Sequence, residues 1–592
     1  MKRIGLFLFL FALWVNASAQ AVGNEWIKYN QSYYKFPISK TGVYRITPTT
    51  LSNSGINFSN IHPQNFQLFG RGKEIPIYVK NETDLDGLFN NADYIEFYAE
   101  RNDGWLDSTV YDNPANHTNP YFSLFTDTAY YFLTWNSSFN NLRMQNLSAD
   151  TVGIANFNAE PFFMQERVQF FKDKYYQGES DVALITDPEY TKGEGWMSSF
   201  FNAGNSKQIN FSTPNVYAGG PAANLKINLA AFTNDFQGQE NNRVQVELNA
   251  TLLNDTTSIG YRAFYHNFNL NPSLLNTTSN ITIRSVAMPS VNNPQSVAVA
   301  FANLKYPQTF DMANVDSVYI QIPDVQHQLK TRIEVTNFSA GPNVILYDLL
   351  DGRRIAATAV PGGYNFLFPT VNNVFKGYLI ADNRVNYIPK MFPVSGNAGS
   401  RFTDYANLSA IPADYLIVTH KKLESEALNY KAYRSSIAGG SHQVIMALSD
   451  ELYDQYAYGI KRNSIALRMF AKDALTDWAK GAKYLFLLGK GITANEFGTQ
   501  DLNFRYSTSV LNQCLVPSFG YPPSDNLITN HIFDSLQFAA AIPTGRLAAA
   551  DEQDVANYLA KIQQYESAPR ALWMKNVLHF GGGTSSNEQQ QF

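Results

Sequence analysis

Residues 484–498 read "YLFLLGKGITANEFG", an apolar run that empties into Gly489 and Gly491. A short run without polar alternation predicts a strand buried on both faces, the kind a parallel sheet uses. The pattern G-x-G-x-x-A at Gly489, Gly491 and Ala494 also raises a phosphate loop. A dinucleotide loop needs a helix opening at its second glycine and an acid about 20 residues further on. The following "ITANEFGTQDLNFRYSTS" has no helical stripe, and the strand is the third of its series rather than the first. No Ser or Thr follows Lys490, so a P-loop is excluded as well.

Outward from this stretch the texture is an α/β alternation. "DYLIVTH" (414–420) and "HQVIMAL" (442–448) read as earlier strands, and "LESEALNYKAYRSS" (423–436) has helical spacing between them. Leu467, Phe470, Ala471, Ala474 and Trp478 recur at helical intervals from Ser464 onward. Downstream, "AAIPTGRL" (540–547) predicts a further strand. Asp551 opens a helix whose apolar stripe is Val555, Tyr558, Leu559 and Ile562. Asp551, Glu552 and Asp554 suit the positive end of that helix.

Residues 20 to about 400 differ in kind. Runs such as "YYKFPI", "GVYRI", "FQLFG", "YIEFYA", "AYYFLTW", "RVQVELNATLL" and "SVYIQI" are separated by Gly, Pro, Asn and Asp turns. They predict all-β, sandwich-like modules, with a seam where "NLSADTVGIANFNAE" interrupts the rhythm. The expected fold class is therefore mixed, all-β modules followed by an α/β domain. The expected organisation is a leader over 1–19, β domains over 20–155 and 156–405, and an α/β domain over 406–592.

The leader expectation rests on Lys2 and Arg3, the apolar stretch Ile4 to Val15, and Ala17-Ser18-Ala19, the pattern of a secretory signal peptide. No later segment has the roughly 20 uncharged apolar residues of a spanning helix, so no transmembrane span is expected. The lone cysteine, Cys514, excludes a disulfide framework, and stability must come from buried cores. A net charge of −5 argues against a nucleic-acid partner.

Three sets of candidate site residues weaken on inspection. Ser32-Tyr33-Tyr34-Lys35, Lys40-Thr41-Gly42 and Ser524-Asp525-Asn526 match the short motifs of penicillin-binding enzymes, but the first lies in a strand-like stretch and the chain order is wrong. Cys514 as a thiol nucleophile, with His531 or His579 as base, has no basic neighbour in "NQCLVPSFGYPP" and reads better as a small buried hydrophobe. The eight histidines are scattered with no H-E-x-x-H, so no metal ligands and no cofactor are assigned.

"ELYDQYAYGIKRNSIALRMF" (451–470), "AKYLFLLGKG" (482–491), "YPPSDNLIT" (521–529) and "IPTGRLAAADEQDVANYLAKIQQYE" (542–566) together resemble the gingipain (C25-type) family of cysteine peptidases, of caspase-like fold. The similarity is strongest to its PorU-type branch, sortases of the type IX secretion system of Bacteroidetes. "WIKYNQSYYKFPISKTGVYRIT", "NFQLFGRG" and "YFSLFTDTAYYFLTW" resemble the β region preceding the peptidase domain there. The resemblance implies a surface or outer-membrane-associated exported peptidase or transpeptidase. Its partners would be the C-terminal sorting domains of cargo and other type IX components.

The family's chemistry is a Cys–His dyad with an oxyanion hole. Its His-Gly pair and its Cys follow the strand that would begin at "NVLHFGGG". This chain has no His-Gly pair, and Cys514 precedes Arg546. The dyad is thus expected beyond Phe592, with no catalytic residue in this sequence and no activity of the chain as it stands. By the resemblance, Phe580 stands where arginine-specific members carry a supporting acid before Gly581–Gly583, and Glu588 is a candidate specificity-pocket acid if the family pattern extends that far, the cleavage specificity itself being unassigned. The alternative is a non-catalytic surface binding or scaffold protein with a degenerate peptidase-like domain.

Overall fold

The computed structural model describes residues 22–578 apart from 85, 91, 180–187, 234–239, 289–294, 340, 342, 395–398, 409–412, 479–480, 493–504, 506–507, 521–522 and 534–538. The mixed class read from the sequence is observed, β-rich over most of the length with an α/β layer at the C-terminal end.

Alternating strands build three sandwiches. In the first, Tyr34–Ile38 pairs with Ala129–Trp135, which pairs with Phe66–Gly70. This sheet faces Gly42–Ile46 and Ile95–Ala99 across Phe36, Leu68, Leu133, Ile46 and Phe97. In the second, Ala223–Phe232 lies between Ser296–Gln308 and Arg262–Leu270. Its Leu225, Ile227 and Leu229 meet Val244, Val246, Ile281 and Ile283 of the opposing sheet. In the third, Ser317–Ile322 and Val344–Asp348 flank Phe375–Ala381, and Ile320, Leu346 and Leu379 meet Ile333, Phe366 and Phe368. Every second residue of such a strand enters the core.

Connections cross between sandwiches. Gln145–Leu147 pairs with Arg353–Ala356 of the third, and Phe392–Pro393 returns to the edge of Tyr34–Ile38. Within this β-rich half, Pro48–Asn53 forms one short helix that the strand-like texture did not announce. Thr47 caps it, accepting from the backbone N–H of Thr50 and fixing its start.

The α/β layer has the parallel order Val444–Leu448, Tyr415–Thr419, Tyr484–Leu488, Thr544–Leu547. Both faces are covered, as the unbroken apolar runs require. Leu416, Val418, Leu485 and Leu487 pack on one side with Leu467, Phe470 and Ala474 of the helix Ile465–Thr476. Ile417, Phe486 and Leu488 pack on the other with Tyr430 of Glu424–Ser435 and Val555 of Glu552–Ser567. Each such large side chain contributes about 1.5–3 kcal/mol by leaving water. Asp551 caps the last helix, accepting from the Asp554 N–H at 3.0 Å, and the predicted stripe Val555, Tyr558, Leu559 and Ile562 faces the sheet.

The two halves share a core. Tyr111, Phe122, Tyr190 and Trp196 belong to the same apolar cluster as Leu416 and Phe470. A buried ion pair between Lys35 and Asp454 joins them again. Burial opposes charge on Lys35, but contact with Asp454 outweighs it and lifts the ammonium above its usual range. Among the described residues no helix is long and apolar enough to cross a membrane.

One expectation fails locally. "NVLHF" was expected to start a strand, yet Asn576, Val577 and Leu578 have no strand pairing, and Val577 and Leu578 are exposed. Their neighbours Leu572–Lys575 form a 3-10 turn instead. His579, Phe580, Gly581–Gly583 and Glu588 lie outside the described residues.

Candidate active-site rim

Ligand sites of open α/β sheets lie beyond the C-terminal ends of the strands. Here that edge is built by the loop after Leu488. Gly489 turns the chain at φ +152°, where a Cβ would come within 2.9 Å of Val516 Cγ2. The turn is then tied on both sides. Gly489 and Lys490 donate backbone N–H groups to the carbonyls of Leu547 and Ala549 at 2.9 and 2.8 Å, while Leu515 donates to Lys490 O at 2.9 Å.

Arg546, from the last parallel strand, locks this rim. Its Nη1 donates to Gly489 O and Val516 O at 2.7 and 2.8 Å, and its Nη2 donates to Pro517 O at 3.1 Å. Nε and Nη2 grip Asp525 at 2.7 and 2.8 Å. A planar guanidinium matches a carboxylate in this two-point way and a lysine does not. The arginine of "IPTGR" is therefore a brace for three loops. Asp525 and Lys35, from the penicillin-binding decoy, are committed to Arg546 and Asp454. Lys490 donates to Gln513 Oε1 at 2.9 Å, a role with no phosphate in it.

Cys514 sits behind the rim, 3% exposed, with Sγ 3.7 Å from the carbonyl oxygen of Ile492. Sequence neighbours offered no cation, but the fold brings Arg462 and Arg546 into electrostatic reach. Burial still prevails and pushes the thiol above its usual range. A nucleophile needs a thiolate and an accessible base. His531, one suggested base, is engaged elsewhere: its Nε2 lies 2.6 Å from Glu189 Oε1 and 3.9 Å from Asp112 Oδ1. No Cys–His pair is present among the described residues, and Cys514 is a core side chain.

Sequence reading missed the trio Asp112, Glu189 and His531, whose ligand atoms all lie within 4.8 Å of one another. No local motif announces residues so far apart along the chain. A cavity of about 610 Å³ opens beside them, lined also by Arg468, Lys472 and Phe519.

Residues 409–592 match the model of peptidase family C25. No curated protein matches. Among solved structures, the dimeric latent PorU from Porphyromonas gingivalis is similar over 90% of this chain and 49% of that one, at 15% identity and TM-score 0.59. This chain thus spans about half the length of that protein. The CBM36-1 domain of a multidomain xylanase from the hindgut metagenome of Trinervitermes trinervoides aligns at 13% identity over 24% of this chain and 96% of that one, TM-score 0.14. The insecticidal delta-endotoxin Cry8Ea1 from Bacillus thuringiensis aligns at 12% over 31% and 28%, also at TM-score 0.14. Neither of these last two bears on fold or function. Residues 409–592 of this chain are thus similar to peptidase family C25, and the chain as a whole has a fold like that of PorU.

Proposed function

We propose that this protein acts in the type IX secretion pathway as an exported cysteine peptidase or transpeptidase that removes the C-terminal sorting domain from cargo at the cell surface. The observation that supports this most is the parallel sheet of a C25 segment whose strand ends form a braced rim around Gly489, Val516 and Arg546. The sandwiches beneath it carry the same fold as PorU. In this reading Cys514 does no chemistry, and the thiolate and imidazole come from outside the described residues. Cys514, Arg546 and Lys35 hold the frame that presents the cleft.

The second reading, a surface binding or scaffold protein with a peptidase-like domain that no longer cuts, rests on the β-rich modules that make up most of the described chain, since Cys514 is inert in both readings. The two readings part in the cell. A strain deleted for this protein is expected to accumulate cargo that retains its sorting domain, detected by mass spectrometry, with processing restored by a Cys514→Ser copy of the whole gene. Normal processing in the deletion strain overturns the peptidase proposal. Failure of the well-folded Cys514→Ser protein to restore it overturns the structural role of Cys514.

A further inference from the structure

Two carboxylates and one imidazole converge where the β-rich half meets the α/β layer, and backbone holds each of them in place. Tyr111 and Tyr190 form an isolated parallel bridge. Both rings are buried, 5.6 Å apart, and Tyr190 rests edge-on against Phe519 at 5.6 Å. Asp112 follows the first tyrosine and Glu189 precedes the second, so both leave the paired backbones on the face opposite the tyrosine rings, and their carboxylates lie within 4.8 Å of each other and of the His531 ring nitrogen. His531 sits in the 3-10 turn Asn530–Ile532, between two buried neighbours.

The surroundings orient the ligands. Asn530 Nδ2 donates to Glu189 Oε1 at 2.8 Å, an outer contact of the kind that fixes ligating carboxylates. His531 Nε2 is 2.6 Å from Glu189 and 3.9 Å from Asp112. A metal held at about 2.0–2.2 Å by nitrogen and carboxylate oxygen spaces its ligands by roughly 3–3.5 Å. The observed distances bracket that spacing, and side-chain shifts of well under a residue's length close it. The adjoining cavity of about 610 Å³ has room for water at the remaining positions of such an ion.

We propose that Asp112, Glu189 and His531 form a divalent-metal site of the zinc class that staples the β-rich half to the C25 segment. One nitrogen with two carboxylates favours zinc-like ions over calcium, which takes six to eight oxygens. The proton on His531 Nε2 leaves to solvent as the metal arrives. Arg468 and Lys472 in the same cavity oppose added positive charge; Arg468 rests on the Phe519 ring at 4.2 Å and feels Glu189 as its counter-charge. They hold the affinity below that of a closed structural zinc site.

The test uses the intact protein, stripped with chelator and titrated with Zn²⁺ alone or Ca²⁺ alone, followed by calorimetry and thermal unfolding. Zn²⁺ is expected to bind at one equivalent and raise Tm by several degrees, with little response to Ca²⁺. Asp112→Asn, Glu189→Gln and His531→Ala are each expected to weaken Zn²⁺ about tenfold or more. Asp112 is exposed enough that its variant keeps the fold, so the experiment holds even where Glu189→Gln fails to fold. No stoichiometric Zn²⁺ binding, an equal response to Ca²⁺, or Zn²⁺ affinity unchanged in Asp112→Asn and His531→Ala would overturn the site.

Discussion

Glu96 and Glu189 are both buried glutamates between packed layers, yet they sit in opposite kinds of surroundings. Glu96 is closed in by donors: Arg45 Nε at 2.7 Å, Arg354 Nε at 2.8 Å and Tyr347 OH at 2.6 Å. Those donors come from Gly42–Ile46, Arg353–Ala356 and Val344–Asp348, so one carboxylate knits the first sandwich to the third. Burial opposes charge on both arginines, and Glu96 helps to hold each above its normal range. Glu189 accepts from Asn530 Nδ2 at 2.8 Å but also lines a cavity, with a histidine and a second carboxylate beside it. Glu96 is enclosed by cationic and hydroxyl donors, while Glu189 shares its cavity with a second carboxylate and an imidazole, the surroundings on which the proposed metal site rests.

The largest test of this contrast is Glu96→Ala. It leaves Arg354 without its carboxylate partner and Arg45 with Asp382 alone, and is expected to cost about 3 kcal/mol, seen as a large fall in the unfolding midpoint. A loss under about 1 kcal/mol would show that the network is not closed and would erase the distinction. Arg546→Lys probes a closed cation in the same way. With the two-point grip on Asp525 and part of the carbonyl bracing gone, about 2–3 kcal/mol of stability is expected to be lost by chemical denaturation. An unchanged midpoint would remove Arg546 as the brace of the rim.

Asp107 sharpens the comparison from a third side. It is fully buried, and burial pushes its carboxyl up to about 6 despite hydrogen bonds from Leu124 and Ser123 and the field of Arg505. Its folded pKa stands above the unfolded value, so the folded state holds the proton more tightly. Its contribution to stability is complete below about pH 4 and falls as pH rises toward 6. Asp107→Asn is therefore expected to stabilise the protein by about 1–3 kcal/mol at neutral pH and to remove that slope. Equal melting temperatures of variant and parent at pH 7 would show that Asp107 is better satisfied than its burial implies.

The α/β layer was the most legible part of the chain. "YLIVT", "VIMAL" and "YLFLL" are unbroken apolar runs because both faces of a parallel strand are buried, and the structure pairs all three in register. The helix at Glu552–Ser567 was equally plain, since Asp551 caps it and its stripe has one period. In the β-rich half, strand existence was readable but not partnership. Nothing local states that Phe392–Pro393 returns to Tyr34 or that Gln145–Leu147 joins Arg353. Short alternating strands resemble one another, and their pairing is set by shape over the whole sheet.

By itself the sequence determined the classes of the two halves, the resemblance to gingipain-type peptidases, and the poor prospects of Gly489–Gly491 as a phosphate loop. It could do so because periodicity, capping and glycine placement act within a few residues. The burial of Cys514 was legible too; only the tertiary structure decided that two arginines lie near that thiol, that Arg546 braces three loops, and that Asp112, Glu189 and His531 meet. Those are properties of space between distant segments, where burial and electric field depend on what packs alongside rather than on what precedes or follows in the chain.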